Sequence, residues 1–506
     1  MLPLLSLVTA VPLVATLPAS ADGPAVVMDG TFEDWTADAV VLTDPVDAPN
    51  GPVDIQDISV RHDADHVYFR INLTRTVNVQ GLDGCLSIIL DADGDTETGR
   101  EAFGVPGAEI AIQFTPPHNK RNNRAGRGVG VQAAGYVPRN NDANARHLSG
   151  YDVGLVFAPT HATKEVEIRI ERGIELPRTA PLFKGDHFIA KLHMQGAGGV
   201  LVDETESFRV DLTPTSPIVI TQEQDPLATT ADALRVISWN GERGALFSKS
   251  EIFARVFRAL QPDVVLLQEL TDKHSARQVA GFFNGQIKHP DGKEWHVSFG
   301  TAGGNLRTAI VSRYPIIKVP ELDQVRYPSA PERTVRVVGA IVETGRGDVL
   351  VASTHLKCCG RINSREDDKR LVEASLVNEV IQEVSRRYGA NNIVIGGDLN
   401  LVGSKTPLTR MIDSLDADGS ALGVSNPMHL DGAANTTWAD RGTPFAPGRL
   451  DYIVYSDATM QSVNGFVLDT QDLAEHWREE YRLQLLDTER ASDHLPVVVD
   501  LAITRR

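Results

Sequence analysis

Short runs of alternating polar and apolar residues dominate the first part of the chain. Gly, Asp, Asn and Pro separate these runs between residues 23 and 212. Successive side chains of a strand point to opposite faces, so this alternation predicts half-buried strands. The runs cover residues 55–60, 66–73, 86–90, 109–114, 165–170 and 187–194. Their spacing predicts an all-β sandwich.

The pattern changes after residue 234, where apolar runs alternate with amphipathic segments. Strands are predicted at residues 235–240, 264–270, 308–312, 336–344, 348–356, 393–399, 450–456 and 497–502. Ser248 and Glu251 have the spacing of a capping box, and Pro262 should end the helix that follows. A longer helix is predicted over residues 365–387, with Gly389 as its cap and an apolar face formed by Leu371, Val372, Leu376, Val377, Val380, Ile381 and Val384. This alternation predicts an α/β domain.

The two patterns divide the chain into segments. Residues 213–231 are rich in Pro, Thr and polar residues and predict a linker. The prediction is therefore a signal peptide at 1–22, a sandwich module at 23–212, the linker, and an α/β domain at 232–506. The signal peptide rests on the apolar stretch 2–18 and on the small residues Ala19 and Ala21, although no Lys or Arg precedes Arg61. A buried first strand or an uncleaved anchor is the alternative; we expect secretion, to the periplasm or the medium.

Composition and charge exclude several classes of protein. The chain has 506 residues, 42% hydrophobic and 23% charged, which is ordinary for globular domains and unlike a multi-span membrane protein. We expect no membrane span after signal cleavage. The net charge of −18 is concentrated in residues 1–230, with 17 Lys and Arg against 31 Asp and Glu; residues 231–506 have 32 against 36. Neither part has the basic excess of a tight nonspecific nucleic-acid binder.

The cysteines do not form a disulfide framework. Cys85 lies in a predicted strand, and Cys358 and Cys359 are adjacent in the chain. Neighbouring side chains on an extended segment point to opposite faces, so we expect separate buried or free thiols.

Polar residues follow many of the predicted strands of the α/β domain. The ends of such strands deliver side chains to a common cleft. A single Asp or Asn at a strand end is commonly a turn residue, so each position is weak evidence alone. The positions are Asn240, Glu269, His355, Asp398 with Asn400, Asp451, and Asp493 with His494.

Taken together and in this order, these motifs resemble the endonuclease/exonuclease/phosphatase superfamily, which includes deoxyribonuclease I and neutral sphingomyelinases. The resemblance covers residues 234 to about 503. It implies an α/β four-layer sandwich, in which two mixed β-sheets pack face to face and helices flank them. It also implies hydrolysis of phosphoric esters with Mg²⁺ or Mn²⁺.

The resemblance also implies roles for individual residues. Glu269 is the principal metal ligand, supported by Asn240; Glu242 and Asp493 are further candidates. Carboxylates suit Mg²⁺, which prefers hard oxygen ligands.

For the reacting phosphate, the resemblance implies five further residues. Asp398 orients or deprotonates the attacking water, and Asn400 holds Asp398 or a phosphate oxygen. His494 donates to a phosphoryl oxygen, and Asp451 fixes its tautomer. His355 contacts the phosphate or protonates the leaving group.

Two nearby stretches leave alternatives open. Residues 304–307 either present polar groups to substrate or form a solvated turn. The basic residues near His355 either attract an anionic substrate or begin a solvated helix; they are Lys357, Arg361, Arg365, Lys369 and Arg370.

The opening of the front module, residues 28–35, resembles family-9 carbohydrate-binding-like sandwiches. Within this module Asp91, Asp93 and Asp95 alternate around Gly94, and such a loop can wrap a structural Ca²⁺, with Glu109 completing the shell. A plain acidic turn is the alternative. Carbohydrate or cell-surface polymer binding would need aromatic platforms, for which the candidates are Trp35, Tyr68, Tyr136 and Tyr151.

Two functions follow as hypotheses. The first is a secreted, metal-dependent phosphodiesterase that acts on nucleic acid, phospholipid or a phosphorylated glycan. The second is a non-catalytic extracellular binding protein that uses the hydrolase fold as a scaffold.

Overall fold

The computed structural model describes residues 25–118, 128–135, 146–175, 182–215 and 221–504. The predicted signal peptide and Tyr136 lie outside these ranges. The first part of the described chain is a sandwich of two antiparallel sheets. Sheet I contains, in spatial order, Val40–Thr43, Ile55–His62, His66–Val77, Thr163–Glu171 and Val156–Ala158. Sheet II contains Leu201–Glu204, His187–Gly196, Gly84–Asp91, Ile110–Phe114, Val131–Gly135 and Arg146–Ser149, with Phe208–Asp211 also paired to His187–Gly196.

The inward faces of sheets I and II form one apolar core. Val60, Phe69 and Ile168 from sheet I pack with Ile88 and Phe188 from sheet II, and all five are fully buried. A small hairpin, Arg100–Ala102 with Val105–Ala108, lies beside sheet II. The alternation read from the sequence therefore predicts this sandwich correctly.

The second part of the chain contains two further sheets and a short hairpin, Arg326–Tyr327 with Ala330–Thr334. Sheet III is mixed and contains His296–Phe299, Leu306–Ser312, Val264–Thr271, Leu234–Asn240, Val497–Ile503, Met460–Val467 and Met428–His429. Sheet IV is also mixed and contains Ile316–Val319, Val337–Glu343, Asp348–His355, Asn392–Asp398, Asp451–Tyr455 and Gly423–Val424. The α-helices are Ala245–Ser248, Ser250–Leu260, Ala276–Gln286, Arg365–Tyr388, Thr406–Ile412, Glu475–Tyr481 and Asp487–Ala491.

These elements stack in four layers. Val236 and Leu266 of sheet III pack against Val351, Val394 and Ile453 of sheet IV in a fully buried core. Two further cores attach helices Ser250–Leu260 and Ala276–Gln286 to the outer face of sheet III, and helix Arg365–Tyr388 to that of sheet IV. The expected fold, two mixed sheets face to face with helices outside, is confirmed.

Two local predictions are wrong. A short helix begins after Gly244, which has a φ of +85°, so Ser248 lies inside a helical turn and caps nothing. Lys249 precedes the next helix, without a side-chain cap. In the long helix Val372 is exposed and Glu373 is buried, because the Glu373 carboxylate accepts hydrogen bonds from the Tyr327 hydroxyl and the Lys357 amide.

The sandwich packs directly against loops of the second part. Met28 pairs with Ala434 in a parallel bridge, and the Val131 amide donates to the Pro444 carbonyl at 2.7 Å. Ala446 is buried with the core of the sandwich. The end of the predicted linker is also docked, since Leu227 is fully buried with the helices that cover sheet III.

Candidate active site

The polar ends of strands from sheets III and IV meet at one edge of the four-layer stack. Asn240 ends its strand in sheet III. Across sheet IV, Asp398 pairs in register with both His355 and Asp451. His494 lies just before the strand Val497–Ile503 of sheet III. Residues that are 254 positions apart, Asn240 and His494, therefore come within hydrogen-bond distance.

The Asp398 carboxylate is the centre of this cluster. Its Oδ2 atom accepts a hydrogen bond from Asn240 Nδ2 at 3.0 Å. The same oxygen lies 3.5 Å from Nε2 of His355 and 3.8 Å from Nε2 of His494. Its Oδ1 atom accepts from the Asn400 amide at 2.9 Å. The convergence that the ordered motifs imply is therefore present.

Backbone irregularities aim two of these side chains. The ladder between Val264–Thr271 and Leu306–Ser312 shifts register at residues 268–269, and Glu269 has a φ of +56° inside its strand. This bulge turns the Glu269 carboxylate toward His355, with 3.9 Å between Oε1 and Nε2. Gly397 has a φ of +149°, and a Cβ at this position would lie 1.8 Å from the Thr354 carbonyl oxygen. Glycine thus permits the close approach of the strands that carry His355 and Asp398.

His494 and Asp451 form a buried pair. Nδ1 of His494 donates to Oδ2 of Asp451 at 2.7 Å, which fixes the ring tautomer. Burial favours the neutral ring, but the Asp451 carboxylate outweighs burial and raises the pKa of His494 to about 10. The Thr437 hydroxyl donates to the same Asp451 oxygen at 2.7 Å and holds the carboxylate in place.

The protein groups alone leave the site short of positive charge. Burial, followed by the nearby carboxylates of Asp451 and Glu269, raises the pKa of Asp398 to about 8, against an opposing effect of His494. Burial and the Arg336 guanidinium hold the pKa of His355 well below its usual range. His355 is therefore neutral at pH 7, as a metal ligand must be.

The donor set fits a divalent cation. Glu269, His355 and Asp398 each offer one ligand atom, and these atoms lie within 4.8 Å of one another. Ligands about 2.1 Å from a common ion are separated by roughly 3–4 Å, so small side-chain adjustments suffice. The side-chain oxygen of Asn240, the atom that would bind a metal, instead accepts a hydrogen bond from the Glu242 backbone amide at 3.1 Å.

The structure places the other predicted ligands outside this group. The Glu242 carboxylate pairs with Lys249 at 3.3 Å and is half exposed. Asp493 Oδ2 accepts from Nε1 of Trp438 at 3.1 Å. Asn400 reaches the site through its backbone, while its Nδ2 donates to the Leu356 carbonyl at 3.3 Å.

Two residues near the site were not singled out from the sequence. An Arg336 guanidinium nitrogen lies 3.3 Å from both ring nitrogens of His355. Arg336 begins a predicted strand, and only its placement before an apolar run hinted that it lies at a sheet end. Thr437 lies in a loop without periodicity, so the sequence held no signal for its contact with Asp451.

Most of the basic residues that follow His355 have structural partners. Arg361 pairs with Asp83 of the sandwich at 2.8 Å. Arg370 is fully buried and donates to Asp367 and to the Cys359 carbonyl. Lys369 lies 5.1 Å from the centre of the Tyr327 ring. The alternative of a solvated helix start fits the exposed Arg361 and Arg365 but not the buried Arg370.

At the other stretch, Gly304 and Asn305 are exposed in a turn, and Arg307 donates to the Ala302 carbonyl at 2.8 Å.

The expectation that Cys358 and Cys359 point to opposite faces is wrong. Cys359 has a φ of +70°, which is not extended, and its thiol lies 2.9 Å from Sγ of Cys358. The hydrogen bond from Cys359 lowers the pKa of Cys358 to about 5, with burial opposing it and Lys357 assisting. Burial raises the pKa of Cys85 to about 11.

In the sandwich, three of the four predicted cation ligands converge. Asp91, Asp93 and Glu109 offer ligand atoms within 4.8 Å of one another. Asp95 is not in this group, because its Oδ1 accepts from the Glu97 amide at the exposed tip of the loop.

Three of the predicted aromatic platforms are occupied by other contacts. Trp35 donates to Glu167, and the fully buried Tyr68 donates to Asp63. The Tyr151 hydroxyl accepts from the Asp440 amide, in the contact between the sandwich and the α/β layers. Trp35 and Tyr68 are therefore buried, and the Arg441 guanidinium lies 5.3 Å from the centre of the Tyr151 ring.

Within the described ranges, every helix is too short or too polar to span a lipid bilayer.

Comparisons with known proteins match a family model and solved structures to this chain. The model of the Endonuclease/Exonuclease/phosphatase family matches residues 237–494. No curated protein matches the chain.

Among solved structures, the human Nocturnin catalytic domain with bound sulfate is 16% identical to this chain, with a TM-score of 0.37. The match covers 56% of this chain and 100% of that one. A Neisseria 3′ phosphatase, NExo, bound to a product DNA hairpin is 17% identical, with a TM-score of 0.36, covering 53% and 98%. An AP endonuclease from Archaeoglobus fulgidus is 15% identical, with a TM-score of 0.33, also covering 53% and 98%.

The family match extends from the strand that carries Asn240 to His494 and thus includes the whole cluster around Asp398. Members of this family are metal-dependent hydrolases of phosphoric esters. The chain belongs to the endonuclease/exonuclease/phosphatase family and is an enzyme of this class.

Proposed function

We propose that the protein is a secreted phosphodiesterase that uses a divalent metal ion, Mg²⁺ or Mn²⁺, to direct water onto the phosphorus of an ester. The observation that carries this proposal is the convergence of Glu269, His355, Asp398 and His494 at one edge of the two sheets. The substrate class is a phosphodiester in a nucleic acid, a phospholipid or a phosphorylated glycan.

Glu269 and His355 would hold the ion beside Asp398, with Asn240 as a further ligand if its amide turns. The bound ion would supply charge neutralisation at the phosphoryl and leaving oxygens. The neutral state of His355 favours ligation over the predicted role as a proton donor. Glu242 and Asp493 could reach the ion only if their present partners, Lys249 and Trp438, release them.

Asp398 and His494 would act on the reacting groups. With a cation bound beside it, Asp398 would be ionised and would accept the proton of the attacking water as the new P–O bond forms. The ester P–O bond would break at the same time, and the leaving oxygen would depart as an alkoxide whose charge the cation would neutralise. His494 donates from Nε2 to a phosphoryl oxygen, because its Nδ1 proton is already bound to Asp451. The amide of Asn400 holds the second Asp398 oxygen and so fixes the direction of the carboxylate.

The chain carries further proposals away from this site. We propose that residues 1–22 are a cleaved signal peptide, that 23–212 and 232–506 are two domains, and that 213–231 link them. In the sandwich we propose a structural Ca²⁺ bound by Asp91, Asp93 and Glu109. A carbohydrate ligand of the sandwich stays a prediction, for which Trp35 and Tyr68 are not available.

Hydrolysis of bis-p-nitrophenyl phosphate tests the catalytic proposal. We expect turnover with Mg²⁺ or Mn²⁺, none with EDTA, and losses of about 10²–10⁴-fold in Glu269→Ala and His494→Ala. Lys273→Ala is a matched control, since it removes an exposed charged side chain in the turn after the strand that carries Glu269 while leaving the cluster intact. Metal-independent turnover would contradict the proposal. Inactivity on this ester, DNA, RNA and sphingomyelin alike would favour the non-catalytic binding protein.

A further inference from the structure

A second group of acidic residues lies in the sandwich, separate from the group around Asp91. Asp44, Asp47 and Asp203 each offer a carboxylate oxygen, and the three atoms lie within 4.8 Å of one another. Asp44 and Asp203 are buried, and Asp47 is exposed at the mouth of the group. A fourth carboxylate, Asp54, follows in the same loop and is fully buried.

Among the residues that the structure describes, several buried oxygens of this group have no hydrogen-bond partner. Both carboxylate oxygens of Asp54 have none, and neither do Oδ2 of Asp44 and Oδ1 of Asp203. A buried carboxylate without a partner costs several kcal/mol, so native proteins satisfy such groups. Asp54 is not one of the three residues whose ligand atoms lie within 4.8 Å of one another. Its two carboxylate oxygens, buried without a hydrogen-bond partner, are therefore a separate observation in favour of a bound cation.

The strongest charged neighbours of Asp44 are acidic. They are Asp203, Asp47, Asp54 and Glu206, whereas the nearby Arg75 guanidinium donates to the Pro49 carbonyl of the same loop. Carboxylates within 4.8 Å of one another repel each other strongly inside a protein, and a bound cation would remove this repulsion.

The fold gives these residues a shared position between the two sheets. Asp44 follows the edge strand Val40–Thr43 of sheet I, and Asp54 precedes the next strand of that sheet. Asp203 lies in Leu201–Glu204, the edge strand of sheet II, and its Oδ2 accepts from the Ile55 amide at 2.8 Å. The carboxylates of Asp44 and Asp203 therefore come together from the two sheets.

We propose that Asp44, Asp47, Asp54 and Asp203 bind a calcium ion that fastens sheet I to sheet II. Ca²⁺ takes six to eight oxygen ligands at about 2.3–2.6 Å, and three ligand atoms within 4.8 Å of one another fit around such an ion. Mg²⁺ retains several waters and demands an octahedral shell, which a set of buried carboxylates does not provide.

Calcium titration of the full chain, freed of metal with EDTA, tests the proposal. We expect calorimetry to count one ion fewer in Asp54→Asn and in Asp203→Asn than in the unchanged protein. The thermal midpoint of the unchanged protein should rise by about 5–10 °C at a calcium concentration near 100 times Kd. Glu101→Gln, which removes an exposed carboxylate of the same sandwich, should retain the full count.

Two further variants keep the outcome decisive. Asp47→Asn changes an exposed residue and should fold even if the buried variants do not; we expect at least a tenfold weaker affinity for one ion. Asp93→Asn removes the separate group around Asp91, so the two losses should add. An unchanged count and affinity in Asp47→Asn and Asp54→Asn would overturn the proposal. Hydrolysis of bis-p-nitrophenyl phosphate is independent of this site and should persist in Asp47→Asn.

Discussion

Gly397→Ala is the sharpest test of how the strands deliver the catalytic groups. In the native backbone a methyl group on residue 397 would lie 1.8 Å from the carbonyl oxygen of Thr354 and 2.8 Å from its carbonyl carbon. Real Cβ atoms stay at least 3.0 Å from such neighbours, so the two strands must separate by about 1.2 Å at this point. The contacting group is the Thr354 backbone carbonyl, which, unlike a side chain, cannot adopt another rotamer to relieve the clash.

This displacement falls on the reacting groups themselves. Thr354 and Gly397 are register partners, and the next pair along the ladder is His355 with Asp398. A misplacement of about 1 Å costs on the order of 10²-fold in rate, and the strained backbone adds roughly 1–3 kcal/mol of destabilisation. We therefore expect kcat for bis-p-nitrophenyl phosphate to fall about 100-fold, with the thermal midpoint a few degrees lower.

The neighbouring residue offers a matched control. A Cβ on Gly396 would meet the end of the Leu266 side chain at 2.6 Å, and that flexible methyl group can move. Gly396→Ala should therefore retain kcat within about threefold while losing some stability through overpacking. Rates are measured at a temperature where both variants are folded by circular dichroism. A Gly397→Ala enzyme with native kcat, or an equal loss in both variants, would refute the reasoning.

Three other outcomes are expected. Asp451→Asn removes the charge that holds the proton on His494 and should lower kcat about 10²–10⁴-fold in steady-state assays, while a kcat within threefold would contradict the role of the pair. Asp472 overcomes the effect of burial and raises the pKa of His429 to about 9, so the pair stabilises the fold below pH 6.5 and less as pH rises through 9; His429→Gln should flatten this part of a denaturation profile. At pH 7 iodoacetamide should label Cys358 first, because its pKa is lowered to about 5, and mass mapping that finds buried Cys85 labelled first would oppose this.

The sequence predicts the strands from their hydrophobic periodicity, and it predicts the site residues from their order along the chain. The predicted strands 393–399 and 497–502 agree with Asn392–Asp398 and Val497–Ile503 to within one residue, because short runs rich in Val and Ile favour buried strands. The set from Asn240 to His494 was found because each member ends or adjoins such a run.

The missing parts have physical causes. The bulge that turns Glu269 depends on how two strands pair, and a single strand does not record it. The contact between Thr437 and Asp451 depends on a loop whose path is set by tertiary packing. The sequence gives no signal for the group of Asp44, Asp47 and Asp203, because its members come from distant parts of the chain, whereas the alternating acids near Asp91 lie in one loop.

The contact between the sandwich and the loop 434–449 bears on how the enzyme can be dissected. That loop begins with the bridge to Met28, contains Thr437, and ends where the Thr160 hydroxyl accepts from the Arg449 amide at 2.8 Å. Deletion of the sandwich would expose Pro444 and Ala446. It would also release both ends of the loop whose Thr437 hydroxyl holds the Asp451 carboxylate. Loss of activity in such a shortened enzyme would therefore reflect a loosened loop beside the catalytic cluster. The sandwich thus supports the active site as well as carrying its own surface.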